Sequence, residues 1–159
     1  MENTRELTLT RVFDAPREAV WKAWTDPGEL AAWWGPDGVT NPECTVDARV
    51  GGSIRVVMLA GPSLGPLAGE RWPMEGEFTE LKEPERLVFR NNAVTEDGRV
   101  LIEGTTTVTL EDAGGGKTKL TLHVEAKGIA PEAPSMLAGM EAGWTQSIEK
   151  LGALVTVRP

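Results

Sequence analysis

Residues 7–13 (LTLTRVF) alternate leucine with threonine before the pattern loosens, and their wealth of strand formers predicts that the chain opens with a β-strand. The period then changes. Beyond a turn at residues 14–16, Val20, Trp21 and Trp24 share one helical face, and Pro16 suits the first turn of that helix. A second helix starts at once: Asp26 and Glu29 stand at capping-box spacing, Pro27 fits the first helical position, and Gly35-Pro36 stops the helix after Trp33 and Trp34. Strand-like patterning follows. Residues 39–50 predict a strand broken near Pro42, Gly51-Gly52 a turn, and residues 53–59 (SIRVVML) the next strand. Residues 61–69 (GPSLGPLAG) hold too many prolines and glycines for a ladder and predict a loop. Residues 74–82 and 86–91 flank the turn KEPE, and residues 99–111 meet 117–127 across a hairpin turn at 113–116.

Alternation also assigns faces. Leu120, Leu122 and Val124 alternate with Thr121, His123 and Glu125, which sends His123 away from the core, and Val108 and Leu110 set the inward phase of the neighbouring strand. Placing Met74, Gly76 and Phe78 inward turns Glu75 and Glu77 to solvent. Residues 86–91 do not fix their own phase, because Leu87 and Phe89 compete with Val88. Arg90 is therefore open to either face, and if inward it needs an anionic partner from the protein or from a ligand.

The remaining elements converge on residues 134–155 (PSMLAGMEAGWTQSIEKLGALV), predicted as one long amphipathic helix. Met136, Met140, Trp144, Ser147, Ile148, Leu151 and Leu154 fall on one side, while Glu141, Thr145, Gln146, Glu149 and Lys150 fall outside that arc. Gly139 and Gly143 lie at the edge of the stripe, where each costs about 1 kcal/mol relative to alanine. Their presence implies a close approach: either another backbone packs there or the helix walls a cavity. The whole order is a strand, two short helices, about six strands and one long helix. An antiparallel meander needs a cover for its apolar face, so an α+β fold is expected in which a curved sheet grips the terminal helix.

Composition narrows the function. A chain of 159 residues is read as a single domain, 1–159, with a core over about 7–155. A formal charge of −8 without a basic run makes nucleic acid and anionic membrane poor partners. No apolar run approaches the roughly 20 residues needed to insert into a bilayer. One cysteine, Cys44, excludes an intrachain disulfide, and the first residues lack the apolar core of a signal peptide, so a cytoplasmic location is expected. There is no tyrosine and one histidine, which leaves little for catalytic or zinc chemistry, and no dinucleotide or phosphate-binding glycine motif is present. No catalytic residue, metal ligand or cofactor is assigned; Cys44 reads as a structural thiol.

Residues 15–36 (APREAVWKAWTDPGELAAWWGP) resemble the Aha-type branch of the START/SRPBCC superfamily, named for activators of a heat-shock chaperone ATPase. DARVGG around Asp47 and Gly51-Gly52, MEGEFTEL around Gly76 and Phe78, PERLVF at 84–89, the paired last strands and Gly143-Trp144 follow in the same order. The resemblance spans about residues 7–154 and implies a helix-grip fold with an apolar cavity between sheet and C-terminal helix. It also implies ligands such as lipids, hormones or polyketides, with a minority of members being enzymes. It matches only the C-terminal domain of the chaperone activators, so their role is not carried across, although a chaperone contact stays open.

The candidate lining is apolar: Met58, Met74, Met136 and Met140 with Trp34, Trp72, Phe78, Phe89 and Trp144, joined by Ser147 and, if inward, Arg90. The same residues could equally fill a solid core. The loop at 61–69 is a candidate lid. The expected function is binding of a small hydrophobic molecule. The alternatives are a cyclase, dehydratase or isomerase using the same cavity, and a protein-interaction module acting as a chaperone accessory or a homodimer.

Overall fold

The computed structural model describes residues 4–131 and 133–156; the chain ends included in the single-domain expectation lie outside them. Seven strands, β1 (Thr4–Phe13), β2 (Val39–Val46), β3 (Ser53–Ala60), β4 (Arg71–Lys82), β5 (Arg86–Val94), β6 (Val100–Gly114) and β7 (Lys117–Gly128), make one antiparallel sheet in the order β1-β7-β6-β5-β4-β3-β2. Strands β2 to β7 form a meander, and β1 joins its far edge beside β7. Helices α1 (Arg17–Thr25) and α2 (Pro27–Trp33) follow β1, and α3 (Ala133–Ala138) and α4 (Met140–Thr156) close the chain. The sheet is curved, with breaks in register between Phe78 and Glu80 and between Asp112 and Gly114. This is the expected helix-grip arrangement.

Local chemistry accounts for the joints. Asp26 serves both helices at once: its backbone N–H closes α1 on the Lys22 carbonyl at 2.9 Å, while its carboxylate accepts from the Glu29 N–H at 3.0 Å. Trp33 donates its indole N–H to the Ala23 carbonyl at 2.9 Å, tying α2 back to α1. Asn41 of β2 donates to the carbonyls of Ala31 and Trp34, both at 2.9 Å, and so caps the end of α2 from the sheet. The β6–β7 hairpin turns on Gly115 and Gly116, whose φ of 64° and 79° are the left-handed values that a two-residue turn requires.

Three expectations are corrected. The C-terminal segment is not one helix; it breaks at Gly139, where glycine's weak helix propensity meets the junction of α3 and α4. Strand β2 ends at Val46 rather than reaching residue 50, because Asp47, Arg49 and Gly52 bond among themselves and to Ser53 in a turn. The 61–69 segment leaves the ladder as expected but includes a short 3-10 segment, Pro62–Leu67, kinked at Gly65.

The core lies between the inner face of the sheet and the helices. Leu7, Leu9 and Phe13 of β1, Leu87 and Phe89 of β5, Val108 and Leu110 of β6, and Leu120, Leu122 and Val124 of β7 are buried with Ile148, Leu151 and Val155 of α4. Helix α4 packs on β1, α1 and α2. Its close approach occurs at Gly152, where an added Cβ would come within 2.8 Å of the Phe13 ring. Gly152→Ala is therefore expected to lower stability by about 1–3 kcal/mol in urea denaturation, the usual cost of overpacking.

Candidate functional site

Rings from five elements, α1, α2, β4, β5 and α4, meet on the inner side of the sheet. Trp24 of α1 lies edge-on to Trp33 at 4.6 Å between centroids, 6.2 Å from Phe89 of β5, and stacked on Trp144 of α4 at 6.4 Å. Trp34 meets Trp144 edge-on at 5.3 Å and Phe89 at 6.4 Å, and Phe78 meets Phe89 at 5.9 Å. The space beside Trp144 is thus lined and largely filled by aromatic side chains.

Most of the expected lining residues are brought together here. Trp34, Met74, Phe78 and Phe89 are buried, and Met58, Met140 and Trp144 pack half-buried against the same cluster. Trp72 stands directly across from Met58 in the β3–β4 ladder, half-buried, with its indole N–H donated to Glu70 at 3.0 Å. Ser147 is buried, but its hydroxyl donates to the Gly143 carbonyl at 2.8 Å, so its proton is satisfied inside the helix.

Two expected residues lie elsewhere. Arg90 is exposed on the outer face, because Phe89 and Leu87 take the inward phase of β5. Met136 is 37% exposed on α3, turned out of the stripe by the break at Gly139. His123, Glu75 and Glu77 take the outer phase expected of them, and Glu75 joins Arg55 and Glu43 in an exposed ion network in which Arg55 holds the Glu43 carboxyl below its usual range.

Several contributors were not singled out from sequence. Trp24 is 0% exposed, and its indole N–H has no acceptor among the described residues. Asn91 sits two residues beyond Phe89 on the same inward phase and accepts from the buried Thr106 hydroxyl at 2.8 Å, a polar pair on a mainly apolar face. The 34–38 turn is latched to α4 by residues placed outside the apolar arc: Gln146 accepts from the Asp37 N–H at 2.8 Å, and Lys150 donates to the Pro36 carbonyl at 3.3 Å. Burial holds the Lys150 ammonium below the usual lysine pKa, against a smaller opposing pull from Asp37. Gly61, in turn, donates to the Gly38 carbonyl at 2.8 Å, which seats the 3-10 segment beside this turn. Met58 touches it too, since a Cβ on Gly35 would meet the Met58 sulfur at 2.7 Å.

Gly143, where a close approach was expected, faces open space: a Cβ there would meet nothing within 4 Å. Gly143→Ala is expected to raise stability by about 1 kcal/mol in urea denaturation, the helix-propensity difference with no steric cost. Cys44 packs against the core, and burial, reinforced by Asp26, pushes its thiol up to about 11 from an ordinary 9.0. With the pKa raised in the folded chain, the thiol's contribution is complete below pH 9 and is lost as pH rises from 9 to 11. Cys44→Ala should flatten that alkaline loss of stability, and the native thiol should react with a disulfide reagent at pH 8 about 100-fold more slowly in the folded than in the unfolded chain.

Comparison with known proteins agrees with this geometry. A Chromobacterium violaceum protein of known crystal structure is 32% identical, with 98% of this chain and 99% of that one covered and a TM-score of 0.76. The AHSA1 protein of Silicibacter pomeroyi is 27% identical over 94% of this chain and 96% of that one, with a TM-score of 0.73. An Arthrobacter aurescens protein solved by NMR is 28% identical over 96% of this chain and 87% of that one, with a TM-score of 0.78. No curated protein matches significantly. Residues 14–156 match the family described as Activator of Hsp90 ATPase homolog 1-like protein, and with nearly the whole fold accounted for, the chain belongs to that family.

Proposed function

We propose that this protein binds a small hydrophobic molecule carrying a hydrogen-bond acceptor, held between the inner face of the sheet and α4. The family's fold supports a ligand-binding type of domain, and the observation that carries the finer reading is the Trp24 indole N–H. It is fully buried among Trp33, Phe89 and Trp144 without an acceptor among the described residues, a state that costs about 1–3 kcal/mol. A ligand with a carbonyl or ether oxygen would relieve that cost.

The surroundings supply the rest. Half-buried Met58, Met140 and Trp144 are adaptable or amphipathic side chains that can move aside, and Gly143 leaves room next to them. Trp34, Met74, Phe78 and Phe89 form the fixed wall, Trp72 borders it beside Met58, and Asn91 with Thr106 offers a second polar point. The 61–69 segment, seated on the 34–38 turn, serves as the cover. Two open surface depressions lie away from this place. One is at Glu18, Trp21 and Leu81, and the other is at Arg90 and Glu103, so Arg90 takes no part in the binding proposed here.

Met140→Trp should fill the adaptable space and weaken uptake of a hydrophobic fluorescent probe at least roughly tenfold while the melting temperature changes little. Loss of several kcal/mol of stability in that variant, or unchanged probe uptake, overturns the reading. Native mass spectrometry of gently purified protein gives an independent check through a retained small mass.

A further inference from the structure

On the opposite face of the sheet, β1 and β7 bring three metal-capable side chains together. Glu6, His123 and Glu125 place one ligand atom each so that all three lie within 4.8 Å of one another. Glu6 and Glu125 stand directly opposite in the β1–β7 ladder, and His123, paired with Thr8, is two residues from Glu125 on the same face. Two carboxylates directly opposite each other repel, and among the described residues neither is ion-paired with a lysine or arginine.

The neighbouring imidazole is already oriented. Its Nδ1 lies 3.0 Å from the Thr8 hydroxyl and its Nε2 lies 3.4 Å from the Glu125 carboxylate. In the tautomer in which Nδ1–H donates to Thr8, Nε2 presents its lone pair toward the carboxylates. This is the outer-shell arrangement that commonly orients a metal-bound histidine. We propose that Glu6, His123 and Glu125 form a binding site for a divalent cation of the zinc, cobalt or nickel kind, with water completing its coordination.

One nitrogen and two carboxylate donors suit such an ion better than magnesium or calcium, which prefer all-oxygen shells. Metal–ligand distances near 2.0–2.1 Å require the three atoms to draw closer, a movement within the reach of two exposed glutamate side chains. The strand backbones hold their spacing through the β1–β7 ladder, so closure needs only side-chain torsions. Glu6 and Glu125 also border an open depression of about 570 Å³ that admits solvent, whose lining includes Arg90, Glu103 and Lys127. Composition argued against a usual zinc site rich in cysteine and histidine; this mixed set needs only the single histidine present. Its chemistry is independent of the hydrophobic site on the inner face.

The test titrates zinc chloride, and cobalt chloride for its visible bands, into the full untagged chain after chelator treatment. One equivalent is expected to bind saturably and raise the melting temperature. His123→Ala should abolish binding, Glu6→Gln and Glu125→Gln should each weaken it at least tenfold, and Thr8→Ala should weaken it roughly 10-fold through loss of orientation. Glu103→Gln, outside the proposed set, should bind as the native chain does. All these positions are exposed or half-exposed, and melting without metal establishes that each variant is folded. Absence of saturable binding, or binding that survives His123→Ala, overturns the proposal.

Discussion

The packing of Trp24 against Trp33, Phe89 and Trp144 is the contact on which the rest of the architecture depends. A bent antiparallel sheet exposes one apolar face, and a single helix as short as α4 cannot cover all of it. Helices α1 and α2 make up the difference by inserting Trp24, Trp33 and Trp34 between sheet and terminal helix. Aromatic rings bury about 150–250 Å² each, so a few large side chains seal what would otherwise need another element. This is why the tandem helices lie where they do: Asp26 joins them back to back, and Asn41 clamps the second to the sheet.

The two faces of the sheet consequently carry different chemistry. Inside, buried polar groups are few and mostly committed, with Thr106 bonded to Asn91, Thr118 to Ala15 and Ser147 to its own helix. Outside, charged and hydroxyl side chains face water, and ionisable groups meet across the strands, as Arg55 does with Glu43 and Glu75. The two proposed sites, one for a hydrophobic ligand and one for a cation, therefore lie on opposite sides of one sheet and do not compete.

Much of this was legible before any coordinates. Strict alternation in 120–125 fixed the phase of β7, and the inward row Met74, Gly76, Phe78 was correct, because each run had a single apolar parity. Arg90 could not be placed from its own strand: Leu87, Val88 and Phe89 are all apolar, and all three are buried, so only the contact of Phe89 with Trp24 decides the inner side. The break at Gly139 escaped because the apolar period continues through it from Met136 to Met140. Local propensity was read as a packing signal, whereas the real close approach falls at Gly152. Gln146 and Lys150 fall outside the apolar arc, and the helical pattern assigned them no partner, yet both bond to the 34–38 turn, more than a hundred residues away along the chain. The Glu6–His123–Glu125 grouping depends on β1 pairing with β7, a long-range register that no local pattern contains.

A hollow largely filled with side chains constrains what can be bound there. An apolar guest that displaces Trp144 or Met140 exchanges one set of dispersion contacts for another of similar size, and that exchange alone provides little net driving force. The discriminating energy then resides in groups the protein leaves unsatisfied. On the proposed reading the Trp24 indole N–H is such a group. Supplying its acceptor recovers about 1–3 kcal/mol, which corresponds to roughly 5- to 150-fold in affinity. A purely hydrocarbon guest forgoes that gain while paying the same cost of moving side chains. On the proposed reading, selectivity therefore follows from one buried N–H more than from the shape of the wall around it.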